Sequence, residues 1–186
     1  MSGRQGLRIV IAEDLYRYKG KTDIKSFLRA YLLIPGFRIV FWYRIASQIK
    51  GVFGIIPNLI LIHYNYLFGI GLHRNTNIGR GFYIGHFSGI TISSKAKIGN
   101  NVNISQCVTI GVAGKGEQRG VPEIGDNVYI AAGAVVIGKI KVGNNVVIGA
   151  NAVVTKDVPD NSIIVGVPAK VIPVIEGVNE YIENRA

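Results

Sequence analysis

Between Ile124 and Val154 the apolar positions keep a six-residue rhythm: Ile124, Ile130, Val136, Val142, Ile148 and Val154 are all β-branched. Glycine or alanine follows four of them, at Gly125, Ala131, Gly143 and Gly149. An amphipathic helix repeats every 3.6 residues and a half-buried strand every two, so neither accounts for this pattern. A chain wound as a triangular prism does. Each side is one short strand whose phase residue points inward, and three sides make a coil of about 18 residues. The expected fold is mainly β, a parallel β-helix of hexapeptide repeats.

The rhythm begins earlier, at Ile78, Ile84 and Ile90, slips by two residues, and resumes at Ile92, Ile98, Ile104 and Ile110. Small or branched residues (Ser88, Ala96, Val102, Val108) recur four positions after phase residues. The next phase residue after Ile110 is Ile124, and residues 112–123, VAGKGEQRGVPE, are rich in glycine and charge. They read as a loop extruded from the prism, of the kind a solenoid carries for binding.

Ahead of the repeats the pattern is helical. Asp23 is a candidate N-cap, and Pro35–Gly36 breaks the stretch into two helices, the second over about 37–49. Residues 51–72 contain no Asp, Glu, Lys or Arg. That is the length of a membrane span, but Pro57, Asn58, His63, Asn65 and several glycines argue instead for a helix that is buried or interfacial. Lys50 and Arg74 flank it, so a peripheral membrane contact through residues 27–72 stays open. The organisation expected is a helical region over 1–72, a β-helix over 73–172 with its loop at 112–123, and a tail or short helix over 173–186.

Composition narrows the partners. The 186 residues predict one or two domains, and a 48% hydrophobic content is enough for a substantial core. A net charge of +10 favours nucleic acid, an anionic membrane or a phosphorylated ligand. With no dense basic block and no nucleic-acid motif, nucleic acid is set aside. One cysteine, Cys107, excludes an internal disulfide framework. Glu13 and Asp14 interrupt the early apolar run, so no signal peptide is read and a cytoplasmic location, with the inner membrane face as a variant, is expected.

Candidate chemistry centres on His86, two residues after Ile84. Neutral imidazole can take a proton from a hydroxyl near pH 7, although spacing alone fits a plain corner residue as well. His63 and His73 raise a zinc alternative. His63 lies outside the repeat, and no compact histidine pair exists, so no metal is expected. Cys107 has no histidine beside it to activate a thiolate. GVAGKG is not a P-loop, because no Ser or Thr follows the Gly-Lys pair.

Five segments carry a family resemblance: PGFRIVFWYRIAS, LHRNTNIGRGFYIGHFSGI, VTIGVAGKG, VYIAAGAVVIG and IGANAVVTKDVPDNSIIVGVPAKVI. From Pro35 to Ile172 the chain resembles the serine acetyltransferase branch of the hexapeptide acyltransferases. The resemblance implies a left-handed β-helix, a homotrimer with active sites between subunits, and transfer of acetyl from acetyl-CoA to a hydroxyl with His86 as general base. It further implies that Gly111 lines the acceptor side, that Ala132 and Ala150 offer backbone to CoA, and that Thr155 and Lys156 lie near its nucleotide. Lys170 would meet a phosphate or stand as a solvated charge.

Four positions depart from the family pattern. Gly71 and Gly85 stand where acids flank the catalytic histidine, and Gly120 and Val121 where an Arg-His pair holds the carboxylate of serine. A site without those ions has no evident reason to select an amino acid. The expectation is an O-acetyltransferase acting on a saccharide of capsule, exopolysaccharide or O-antigen. The alternatives are serine O-acetyltransferase of cysteine biosynthesis, or a non-enzymatic or metal-binding hexapeptide protein.

Overall fold

The computed structural model describes residues 6–116, 119–173 and 181–186. Residues 117–118 of the expected loop and 174–180 of the expected tail lie outside the described residues.

Four helices come first: α1 (Leu7–Lys19), α2 (Ile24–Leu33), α3 (Pro35–Gln48) and, after a 3-10 turn at Val52–Gly54, α4 (Ile55–Phe68). Asp23 caps α2, accepting from Ser26 N at 2.9 Å. Pro35 opens α3, so this helix starts two residues before the expected Phe37. The first helical position needs no N–H partner, and the proline ring presets φ there. α4 ends at Gly69 in the left-handed region.

The strands then wind into a left-handed β-helix of about five turns. The first face stacks β1 (Ile70–Gly71), β4 (Ile90–Ile92), β7 (Thr109–Gly111), β10 (Val135–Ile137) and β13 (Val153–Val154). The second stacks β2 (Asn77–Ile78), β5 (Lys97–Ile98), β8 (Glu123–Ile124) and β11 (Lys141–Val142). The third stacks β3 (Tyr83–Ile84), β6 (Asn103–Ile104), β9 (Val128–Ile130), β12 (Val146–Ile148) and β14 (Ser162–Val165). These strands pair in parallel along each face, and β15 (Lys170–Pro173) folds back antiparallel on β14. Every phase residue from Ile78 to Val154 is 7% exposed or less. Burying each stabilises the coil by about 1.5–3 kcal/mol relative to leaving it in water.

Asparagines turn one corner of the prism. Asn101, Asn127, Asn145 and Asn161 each take positive φ, and the amides of the first three each donate to the next side chain at 3.1–3.3 Å. Asparagine tolerates the left-handed region better than most residues.

The helices close the first coil. Arg44 of α3 pairs with Asp14 of α1 at 2.7 Å, and both side chains are buried. Arg44 also donates to Ile78 O at 2.8 Å, and Phe82 N donates to Asp14 Oδ1 at 2.9 Å. α1, α3 and the first coil are therefore tied through one buried network.

Candidate active site

The two-residue slip in the sequence rhythm marks the corner that carries His86. Ile84 pairs with Ile104, twenty positions on, whereas Thr91 pairs with Thr109, eighteen on. The two extra residues therefore lie between β3 and β4, in the segment Gly85–Gly89. His86 is exposed there, and among the described residues its imidazole has no hydrogen-bond partner. Ser88 (φ 95°) and Gly89 (φ 68°) bend the chain into β4.

Helices hold the residues on either side of this corner. Ile84 N donates to the hydroxyl of Tyr18 on α1 at 2.8 Å, and that hydroxyl lies 3.4 Å from Ile84 O. Burial pushes the Tyr18 hydroxyl well above its ordinary pKa, so it stays protonated. Gly36 of α3 packs so closely that a β-carbon there would stand 2.1 Å from Ile84 O. On the far side, Phe87 lies against Phe68 of α4 with ring centroids 5.3 Å apart. Sequence reasoning did not single out Tyr18 or Phe68, and it read Gly36 only as part of a helix break, since each acts here through a contact distant in the chain. The phase slip was the one local signal.

The predicted site residues fall on two edges of the first face. The edge where strands enter carries His86, Ala132 and Ala150 on the first, third and fourth of its stacked corners, with Gln106 and Cys107 on the second. Backbone links stack these corners: Cys107 N to Ser88 O at 2.9 Å, Gly133 N to Gln106 O at 3.0 Å, and Asn151 N to Ala132 O at 2.9 Å. The edge where strands leave carries Gly111, after which the loop departs and closes on itself through Ala113 and Gly120. Thr155 and Lys156 follow β13 on that same edge, both exposed. Lys170 is exposed on β15, directly after Ala169, whose N–H donates to Val153 O of β13 at 3.1 Å.

Next to the His86 corner is a cleft of about 510 Å³, walled by Ile62, Asn65 and Tyr66 of α4 and by Gly69–Gly71 and Gly89–Thr91. A second hollow of about 200 Å³ lies at the last coil between Thr155–Lys156 and Pro168–Ala169. Among the described residues, no three of His, Cys, Asp and Glu converge as a metal site.

Residues 122–156 match the family model described as bacterial transferase hexapeptide (six repeats). The chain is 39% identical over 149 residues to a serine acetyltransferase of Bacillus subtilis, covering 80% of this chain and 69% of that one. It is 32% identical to serine acetyltransferase 2 of Arabidopsis thaliana, covering 92% of this chain and 54% of the relative. Among solved structures, Neisseria gonorrhoeae serine acetyltransferase superposes with a TM-score of 0.75 at 29% identity, over 92% of this chain and 66% of that one. Soybean serine acetyltransferase complexed with serine gives a TM-score of 0.74 at 32% identity, over 89% and 69%.

These relatives overturn the expectation of a saccharide acceptor. That expectation counted ionic partners position by position, and the structure exposes the weakness of such counting. Gly120 leaves no room for a side chain, because a β-carbon there would stand 2.6 Å from Cβ of Lys139. A lysine from the neighbouring coil therefore adjoins the position where the family's arginine is missing. At Gly71 the nearest atom to such a β-carbon is 3.7 Å away, so the cleft wall there is open. Charge missing at one position of a solenoid is not charge missing from the site, because coils eighteen residues apart are neighbours.

Proposed function

The chain belongs to the serine acetyltransferase family, and on that premise we propose that it transfers acetyl from acetyl-CoA to the hydroxyl of L-serine. The observation that carries this reading is His86, free and exposed on the two-residue insertion, beside a cleft walled by glycines. Its imidazole takes the serine hydroxyl proton as the oxygen attacks the thioester carbonyl. Backbone N–H groups stabilise the tetrahedral oxyanion. On collapse the C–S bond breaks, O-acetylserine forms, and the imidazolium returns the proton to the CoA thiolate.

CoA in this reading lies along the backbone at Ala132 and Ala150, with Thr155, Lys156 and Lys170 toward its nucleotide and Gly111 on the acceptor side. Gly111 and Thr155–Lys156 occupy the opposite edge of the first face from Ala132 and Ala150. A site using both is completed by a second subunit, and a cyclic homotrimer satisfies that requirement.

The test is release of CoA thiol from acetyl-CoA with L-serine as acceptor. We expect serine-dependent turnover, and we expect His86→Ala to lower kcat by roughly 100-fold or more while acetyl-CoA binding persists. Turnover kept by the variant would remove His86 as base. No turnover of the wild type with serine would remove the proposed acceptor.

A further inference from the structure

A polar hollow of about 370 Å³ lies between the end of α3 and the turn from β1 into β2. Ser47, Gln48 and Lys50 wall one side, and Arg74, Asn75 and Thr76 the other. It shares no lining residue with the cleft beside His86.

Its charge is one-sided. Every lining residue falls within 43–78, and residues 24–116 contain no Asp or Glu. Arg44 also lines the hollow, but Asp14 matches its charge. Lys50 is exposed and has no ion pair among the described residues. Arg74 is held by neutral partners, donating to Gly54 O at 3.3 Å and to Ile49 O at 2.9 Å. Gly54 makes room for it, since a β-carbon there would stand 3.2 Å from Nη2 of Arg74. Two positive charges thus share one hollow, and no described carboxylate offsets them. The carbonyls that end α3 would oppose an anion. They are covered: Arg74 donates to Ile49 O, and the Ser47 hydroxyl to Arg44 O at 2.9 Å.

Thr76 is an independent sign of a ligand. It is 4% exposed. Its N–H donates to His73 O at 3.0 Å, and its carbonyl accepts from the Tyr43 hydroxyl at 2.6 Å. Its own hydroxyl has no partner among the described residues. A buried hydroxyl left unpaired costs free energy, which a bound acceptor recovers. Phosphate brings both the acceptor and the charge, because its oxygens accept at once from ammonium, guanidinium and hydroxyl groups. Small-ligand pockets begin at about 300 Å³, so the hollow has room for an ester as well as for the bare ion.

We propose that this hollow binds a small soluble phosphate-bearing anion, held by Lys50, Arg74 and the Thr76 hydroxyl. The site is separate from the acetyl-transfer reading and does not depend on it.

The experiment is a thermal melt of the full chain, saturated with CoA so that the donor site is filled. Inorganic phosphate and glycerol phosphate are each compared with sodium chloride at equal ionic strength. At saturating anion the expected rise in Tm is roughly 2–4 °C. Lys50→Gln and Thr76→Val should each lose that rise, while Lys95→Gln, an exposed cation outside the hollow, should keep it. Without anion, Thr76→Val should melt no lower than the wild type, because its hydroxyl has no hydrogen bond to lose. A larger rise with glycerol phosphate would identify an ester as the ligand, and an equal rise free phosphate. No rise with either anion would overturn the proposal. So would a rise kept by Lys50→Gln or Thr76→Val, or one lost in Lys95→Gln, which would mark general charge screening. A Thr76→Val variant that melts lower without anion would overturn it too, since the hydroxyl would then be bonded within the protein.

Discussion

A β-carbon on Gly36 would stand 2.1 Å from a backbone oxygen of Ile84, the residue two before His86. Alanine ordinarily stabilises a helix relative to glycine by up to about 1 kcal/mol. Here the clash is with main chain, which cannot rotate away, so overpacking at about 1–3 kcal/mol wins. Gly36→Ala should lower Tm by roughly 2–10 °C in a thermal melt. It should also lower kcat, because the displaced strand leads directly into the His86 corner. An unchanged melt and kcat would show that α3 shifts without disturbing β3. Tyr18 did not stand out in the sequence, and Gly36 did so only with Pro35 as a helix break. A glycine after proline reads as a break between helices until the carbonyl beside it is seen.

Among the elements, the helices and the first coil depend on one buried ion pair. Burial raises the pKa of the Asp14 carboxyl, and the Arg44 charge draws it down. Burial lowers the Arg44 guanidinium, but Asp14 more than offsets this and holds it above its usual value. Removing one partner leaves the other charged and dry, which costs about 3–5 kcal/mol, more than the pair contributes relative to an apolar replacement. Asp14→Asn should therefore destabilise the fold by about that amount in urea unfolding. Asp14→Leu/Arg44→Met should recover most of the loss, and a double variant as weak as the single would show that the hydrogen bonds to Ile78 and Phe82 matter more. The sequence used Asp14 only as an interruption of an apolar run. Its partner lies thirty positions away, and no local rhythm links them.

At the scale of the whole molecule, the two edges of the first face lie apart, so sites made of both require neighbouring subunits. Gly111 has no atom nearer than 3.6 Å to a placed β-carbon, so Gly111→Trp fits the fold while blocking its edge. Mixing unfolded His86→Ala with Gly111→Trp and refolding them together should restore about one quarter of wild-type turnover, the chance that both halves of a site are intact. No recovery would mean that each site is built within one chain. The sequence alone determined the solenoid, because a three-sided coil needs one inward aliphatic per side and that need repeats locally every six residues. It also determined the α2 cap, which is set by residues near one another in the chain. Only the tertiary structure decided how the helices seat against Ile84, that the phase slip is the His86 corner, and that Lys139 adjoins Gly120. Those are contacts between coils and helices far apart in sequence, whose distances depend on how the whole chain packs.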